Sequence, residues 1–151
     1  MMIEFLLLEP GEMALVKPLW QKLNAHHRSR SQHFARFYAK FTFEDRMAAI
    51  LEHQNPRLRI EVARDADTQE LVGYCISSVS ESFEGEVDSI YIEPQYRKMK
   101  IGDRLMTGSL KWMEALGVKK KKITVAHGNE ETFGFYEKYG FYPRLTILVA
   151  K

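Results

Sequence analysis

A short basic loop between an apolar run and a helical pattern is the clearest candidate site in this sequence. The apolar run ends at Pro94, and an amphipathic pattern begins near Gly102. Three cationic residues lie between them, Arg97, Lys98 and Lys100. The first N–H groups of a helix have no partner within the helix, and the helix dipole adds partial positive charge there. A strand, a basic loop and a helix start in this order therefore predict a pyrophosphate site.

A row of carboxylates precedes this loop. Glu84, Glu86 and Asp88 alternate at the start of a predicted strand. They share one face of that strand if it is regular there, because side chains alternate between the two faces of a sheet. Such a face could bind a cationic amine, or it could be a solvated sheet edge, and the residues alone favour neither interpretation.

The composition excludes several classes of protein. A length of 151 residues suits one domain with one core, and 45% hydrophobic with 28% charged residues is ordinary for a globular chain. The formal net charge is only +2, so bulk electrostatics do not indicate a nucleic-acid-binding protein. The single cysteine, Cys75, lies in an apolar run. We therefore expect a buried, inert thiol and no disulfide framework.

Neither a metal site nor a membrane segment is expected. His26, His27 and His33 are close in sequence, but they lack the spacing and the cysteine partners of a zinc site. Residues 1–8 lack the basic start and the cleavage site of a signal peptide. No run reaches the ~18 apolar residues of a transmembrane helix. The sequence thus predicts a cytoplasmic protein without a membrane partner.

Hydrophobic periodicity predicts one α/β domain over residues 1–151, with the element order β-α-α-β-β-β-α-β-α-β. A helix is predicted at 101–116 and ends at Gly117, and a shorter one at 130–139. Thr42 and Asp45 form the pattern of a capping box at the start of an earlier helix. The predicted strands cover residues 3–8, 58–63, 70–80, 86–92, 119–127 and 144–150.

Two segments resemble the acetyl-CoA-binding motifs of the GNAT superfamily of acyl-CoA N-acyltransferases. The segment Arg97-Lys98-Met99-Lys100-Ile101-Gly102 is similar to the family pattern Arg/Gln-x-x-Gly-x-Gly/Ala. The segment from Asn129 to Phe141 is similar to the pattern Asn-x-x-Ala-x-x-Phe-Tyr-x-x-x-Gly-Phe. Lys100 replaces the first glycine of one pattern, and Thr132 replaces the alanine of the other.

The resemblance implies a mixed central sheet of six to seven strands flanked by about four helices. It also implies acetyl-CoA as the acetyl donor and no metal. Glu86 would be the base that deprotonates the amine, with Asp88 as the alternative, and Tyr136 the acid that protonates the leaving thiolate. A bulge near Ser89, usual in the family, would change which carboxylates point together. The implied cofactor-binding residues are Ile90, Tyr91, Ile92, Arg97, Lys98, Met99, Lys100, Ile101, Gly102, Asp103, Asn129 and Tyr136.

Lys100 has two possible conformations at the position of the missing glycine. If its backbone takes a positive φ, a side chain there costs roughly 1–2 kcal/mol. Alternatively, it takes an ordinary negative φ and turns its side chain to solvent, where the ammonium can attract phosphate. We expect the second conformation.

The sequence therefore predicts an N-acetyltransferase that moves an acetyl group directly to a primary amine. The acceptor is a small molecule, such as a polyamine or amino-sugar, or a protein amino group. The alternative is a non-catalytic acyl-CoA-binding or regulatory module of the same fold. Residues 28–41 interleave basic and aromatic side chains, but the resemblance implies a wall of the acceptor site there rather than a nucleic-acid surface. Dimers are common in the family, so a homodimer is compatible with the sequence.

Overall fold

The computed structural model describes residues 2–151 and has one mixed sheet at its centre. Over this range the sheet contains five strands in the order β1-β2-β3-β4-β5. Neighbouring strands are antiparallel except β4 and β5, which run parallel. The strands are β1 Ile3–Leu8, β2 Arg57–Asp65, β3 Leu71–Val79, β4 Glu84–Ile92 and β5 Lys120–Ile123.

The helices cover both faces of this sheet. Within residues 2–151 there are five α-helices, which are α1 Lys17–Arg30, α2 Ala35–Lys40, α3 Phe43–Glu52, α4 Ile101–Ala115 and α5 Phe133–Glu137. Short 3-10 helices cover Pro10–Val16, Pro94–Tyr96 and Glu130–Thr132. The chain passes from β4 to the parallel strand β5 through α4, which is the predicted βαβ crossover.

Two apolar clusters form the core, one on each face of the sheet. On one face, Val62 and Tyr74 pack with Trp20 of α1. On the other face, Cys75 packs with Leu105 of α4. The central strands β2 and β3 therefore bury side chains on both sides, as strands between two helical layers do. The expectation of a buried thiol at Cys75 is confirmed, because the residue has no exposed surface.

The local signals at helix ends are confirmed as well. The hydroxyl of Thr42 accepts a hydrogen bond from the Asp45 N–H, and the Asp45 carboxylate accepts one from the Thr42 N–H. Helix α4 begins and ends close to the predicted bounds of 101–116. Gly117 follows it with φ +73°, a left-handed conformation that glycine adopts without strain.

The sheet has fewer strands than the resemblance implied. The expectation of six to seven strands is wrong for residues 2–151, which form five strands. Five α-helices flank them, close to the expected number of about four. The predicted strand 119–127 is reduced to Lys120–Ile123, because its neighbour β4 diverges after that point. The predicted strand 144–150 is absent, since residues 142–151 make no backbone hydrogen bond within the described chain. The predicted helix 130–139 is split into a 3-10 turn and α5.

Candidate active site

The sheet opens between its two parallel strands. Pairing of β4 with β5 begins at Glu84 and Lys120 and ends at Val87 and Ile123. Strand β4 continues to Ile92, whereas the chain after Ile123 is no longer in the sheet. One edge of residues 88–92 therefore has no strand neighbour within the described chain, and its backbone groups can bind another molecule.

A β-bulge lies at the start of this open edge. Ile76 of β3 pairs with Ser89, and the next residue, Ser77, pairs with Val87. Asp88 is thus the extra residue of β4, and the prediction of a bulge near Ser89 is confirmed. A bulge increases the local twist and turns neighbouring side chains together, which brings both Glu86 and Asp88 into the same cavity.

A cavity of about 360 Å³ occupies the opening. Trp20, Phe37, Tyr38 and Phe41 of the first helices line it on one side. Residues of β4 and the chain that follows β5 line the other side. The interpretation of the 28–41 segment as a wall of this site thus agrees with the position of three of these aromatic residues.

The two carboxylates in the cavity differ in their surroundings. Atom Oδ2 of Asp88 is buried and has no hydrogen-bond partner among residues 2–151. Burial raises the pKa of Asp88 to about 7, and the negative charge of Glu86 contributes to the rise. Glu86 lies 3.7 Å from the Lys122 ammonium, measured from Oε1 to Nζ. Glu84, the third carboxylate of the row, is exposed and does not line the cavity.

Tyr136 reaches the same cavity from α5. Burial raises the pKa of its phenol to about 12, so the hydroxyl keeps its proton at neutral pH. Helix α5 is joined to the start of α4 through Asp103, whose carboxylate accepts hydrogen bonds from the Tyr139 hydroxyl and, at 3.0 Å, from Lys138 Nζ. These contacts lower the pKa of Asp103 and fix Tyr136 relative to the basic loop.

The basic loop is more strained than the sequence suggested. Lys98 has φ +72° and Lys100 has φ +61°, so both are left-handed. The expectation of an ordinary φ at Lys100 is wrong, because Lys100 is the residue at which the loop reverses into the first turn of α4. Arg97 donates from Nε to the Ile92 carbonyl at 2.8 Å, which holds the loop against the end of β4.

The loop residues fit a pyrophosphate. The ammonium groups of Lys98 and Lys100 belong to exposed residues beside the N-terminus of the 15-residue helix α4. A Cβ atom at Gly102 would lie 3.1 Å from Cζ of Phe135, so glycine here lets α5 pack closely on the helix start. Lys98, Met99 and Lys100 are all exposed.

The remaining predicted residues lie in two different environments. Ile90 and Asn129 line the cavity, and Asn129 Oδ1 lies 3.2 Å from His26 Nε2. The side chains of Tyr91 and Ile92 pack into the two core clusters, which leaves their backbone at the open edge. Ile101 is buried under the loop. The structure thus brings Glu86, Ile90, Asn129 and Tyr136 together and places residues 97–103 at the far end of β4.

Several polar residues of the cavity were not predicted, among them Asn24, His27 and Arg46. Asn24 donates to the Tyr38 carbonyl at 2.8 Å, and Arg46 donates to the Asp88 carbonyl at 2.7 Å. Burial lowers the pKa of His27 to about 4, so its ring is neutral at pH 7. Each is a single polar residue on a helix face that otherwise packs inward. One such residue does not indicate a functional site when only the sequence is known.

Residues 2–151 contain no group of three or more His, Cys, Asp or Glu side chains arranged to hold a metal ion. None of the helices in this range is both long enough and apolar enough to cross a bilayer.

Known proteins are similar to this chain in sequence. A model of the Acetyltransferase (GNAT) family matches residues 19–141. Phosphinothricin N-acetyltransferase of Streptomyces coelicolor is 27% identical over 137 residues, which are 87% of this chain and 79% of that protein. The family-model match covers both the carboxylates of β4 and the two resemblance segments.

Solved structures agree in fold. Aminoglycoside N-acetyltransferase AAC(6')-Iy, in complex with CoA, superposes with a TM-score of 0.65 at 12% identity and covers 98% of each chain. Ribosomal-protein-alanine N-acetyltransferase from Brucella melitensis gives 0.62 at 19% identity over 99% of each chain. The chain belongs to the GNAT acetyltransferase family.

The strain at Lys100 makes a prediction about stability. Lys100→Gly is expected to raise the free energy of unfolding by about 0.5–1 kcal/mol, because the left-handed conformation suits glycine and only part of the gain is lost to chain entropy. Chemical denaturation measures the change. Lys111→Gly, on the exposed face of α4, is the matched control and should lower stability by about 1 kcal/mol. A Lys100→Gly protein no more stable than wild type would contradict the strain.

Proposed function

We propose that this protein is an acetyl-CoA-dependent N-acetyltransferase that acetylates a primary amine by direct transfer. The observation that carries the proposal is the opening between β4 and β5. It joins a basic helix start at one end of β4 to a cavity with two carboxylates and a phenol at the other. A donor held along the edge of β4 would present its reactive end to an amine in that cavity.

The chain has groups that would bind each part of acetyl-CoA, the acetyl donor. First-turn N–H groups of α4, with Lys98 and Lys100, would bind the pyrophosphate. Backbone N–H groups of residues 90–92 would hydrogen-bond the pantetheine arm and the thioester carbonyl, whose oxygen gains negative charge during transfer. Asn129 would orient the arm from the opposite wall. Acetyl-CoA itself supplies the activated acetyl group.

The carboxylates would prepare the amine. An alkylamine is mostly protonated at neutral pH and must lose a proton before it can attack. We assign that proton to Glu86, directly or through one water, and the attraction of the incoming ammonium to Asp88. The aromatic side chains of one wall lower the local polarity of the cavity, which strengthens both interactions.

Tyr136 would protonate the leaving sulfur. Its phenol is uncharged at neutral pH and is fixed by the packing of α5 against α4. A pKa of about 12 makes it a weak acid, but a thiolate formed in the same buried cavity is also destabilised, which favours proton transfer to it.

The acceptor is a primary amine of a small molecule or a protein. The related proteins act, by their names, on acceptors as different as phosphinothricin, aminoglycosides and ribosomal-protein alanine. A panel of such amines, with release of free CoA thiol as the readout, tests the proposal. Amine-dependent thiol release is expected. Tight acetyl-CoA binding without release to any amine would instead favour the non-catalytic acyl-CoA-binding module.

Acetyl-CoA should stabilise the folded protein. At about 100 times Kd, a ligand that binds only the folded state adds ~2.7 kcal/mol, which thermal unfolding detects as a higher Tm. Lys98→Glu with Lys100→Glu should remove most of the shift, because it reverses the charge at the pyrophosphate site. Lys111→Glu, which makes the same charge change away from the loop, should keep it. Equal shifts in all three proteins would contradict the assignment of the loop.

The two carboxylates should have different kinetic effects. Glu86→Gln is expected to lower kcat/KM by roughly 10²–10⁴-fold near pH 7 through kcat, because it removes the base. This loss of kcat/KM should become smaller as pH rises, because more of the amine is then already neutral. Asp88→Asn should mainly raise KM for the amine. In wild type this KM should rise as pH falls below about 7, since Asp88 then takes up a proton, and Asp88→Asn should lose that dependence.

Thermal unfolding checks that both variants are folded. The pKa of Asp88 is above the usual range of aspartate, so its ionisation weakens the fold as pH rises through about 7. Asp88→Asn should therefore exceed wild type in Tm at pH 8 and approach it at pH 4. A normal kcat in Glu86→Gln together with a large loss in Asp88→Asn would reverse the two assigned roles.

Removal of one hydroxyl tests the acid. Tyr136→Phe keeps the ring packing, so acetyl-CoA affinity should be nearly normal while kcat falls roughly ten- to a thousand-fold. The defect should shrink with an acyl donor whose thiol has a lower pKa. Tyr139→Phe is the matched control, because its hydroxyl bonds to Asp103 and its loss should affect stability more than kcat. Weaker acetyl-CoA binding with normal kcat in Tyr136→Phe would show a positioning role only.

A further inference from the structure

The end of α1 is fastened to the loop that follows β5. Arg30, the last residue of α1, donates from Nε to the Gly128 carbonyl at 3.1 Å and from Nη2 to Glu131 Oε2 at 3.2 Å. The two backbones also meet, since a Cβ atom at Gly128 would lie 2.6 Å from the Arg30 carbonyl oxygen. A side chain at residue 128 would collide there, so glycine permits the close approach. Residues 128–131 are therefore held against α1, which contributes to the opposite wall of the cavity.

One side chain inside this contact belongs to the cavity. Asn129 lines the cavity and directly follows Gly128. Its Oδ1 lies 3.2 Å from His26 Nε2, and the same ring nitrogen lies 3.3 Å from Glu131 Oε1. His26 thus connects the amide that we assign to the donor arm with a carboxylate of the same loop.

The carboxylate decides which nitrogen of the His26 ring carries a proton. An ionised carboxylate only accepts hydrogen bonds, so the Nε2 atom that faces Glu131 must be an N–H group. This holds for the neutral ring and for the imidazolium alike. A donor at Nε2 in turn requires an acceptor from Asn129, which is the amide oxygen and not the amide nitrogen. The two ends of the Asn129 amide are therefore not interchangeable.

This orientation reserves the amide nitrogen of Asn129 for a ligand. The hydrogen bond of the Asn129 side chain within residues 2–151 is made by Oδ1, which leaves both N–H groups of Nδ2 without a protein partner. An amide N–H group can only donate. The pantetheine arm of acetyl-CoA contains two amides, and each has a carbonyl oxygen that accepts. An Asn129 turned the other way would present its oxygen to such a carbonyl, and two acceptors cannot bond.

We propose that His26 is a positioning residue that holds the Asn129 amide with its N–H groups toward a carbonyl oxygen of the pantetheine arm. This role rests on the proposed acetyl-CoA site, and it adds the direction of one hydrogen bond in that site. His26 itself contacts neither the donor nor the amine and acts through Asn129. Arg30 and Gly128 keep the two segments close enough for the contact.

Two substitutions of His26 separate the hydrogen bond from packing. His26→Phe keeps a flat ring beside His27, whose ring centroid is 6.3 Å away, but it has no N–H group. His26→Gln loses the ring, yet its amide N–H groups can donate to Asn129 Oδ1. Titration calorimetry should give a Kd for acetyl-CoA about three- to ten-fold higher in His26→Phe, the effect of one lost hydrogen bond. The Kd of His26→Gln should be close to that of wild type.

ADP is the matched ligand control, because it has the pyrophosphate but lacks the pantetheine arm. Its Kd should be the same in wild type and in both His26 variants. His127→Ala is the matched protein control, since it removes from the same loop an imidazole whose Nδ1 lies 3.2 Å from Glu130 Oε1. It should leave both Kd values unchanged. A Kd for ADP that rises as much as that for acetyl-CoA in His26→Phe would show general damage to the domain and overturn the positioning role.

A double-mutant cycle tests whether His26 acts through Asn129. Asn129→Ala should raise the Kd for acetyl-CoA at least as much as His26→Phe does, and His26→Phe added to it should cause no further rise. The same rise in both backgrounds, or equal Kd values in His26→Phe and His26→Gln, would overturn the role of His26 and leave the donor site standing. A wild type that binds acetyl-CoA no better than ADP would instead contradict the donor site of the proposed function, and the role of His26 with it.

Discussion

The divergence of β4 and β5 after Val87 and Ile123 is the constraint on which the rest of the structure depends. Up to that pair the strands hold each other through parallel hydrogen bonds. Beyond it, the backbone of residues 88–92 has one free edge inside a cavity. Free backbone groups in a partly buried place are unfavourable unless a partner binds them. The fold therefore maintains an edge whose hydrogen-bonding groups are available to a ligand.

The elements around the opening serve to keep it in place. Arg46 holds the bulge through the Asp88 carbonyl, and Asp103 holds α5 against the start of α4. The result is a line of groups along β4, from the strained loop at Lys100 to the carboxylates at the bulge. The same features carry a stability cost, since a left-handed lysine and the buried Oδ2 atom of Asp88 without a hydrogen-bond partner both weaken the fold. Strain at these positions is consistent with a functional site.

The structural features that depend on residues close together in the sequence were predicted best. The capping box at Thr42, the left-handed Gly117 and the bounds of α4 follow from local hydrogen bonding, and each is present. The motif residues also gave the family and the position of the bulge. Predictions that depend on distant pairing were less successful. Residues 144–150 have the composition of a strand, but a strand forms only where a neighbour is available. The predicted conformation of Lys100 was wrong because α4 and β4 together set the reversal of the loop. That reversal overrides the preference of one residue.

Hydrogen exchange along β4 tests the central claim most directly. Peptides that cover residues 88–92 should exchange quickly in the free protein on the open edge and become protected when acetyl-CoA is added. Peptides from β1, on the opposite side of the sheet, should change little and serve as the internal reference. Protection confined to the 97–103 loop, with residues 88–92 unchanged at saturating acetyl-CoA, would contradict the account of the open edge as the donor site.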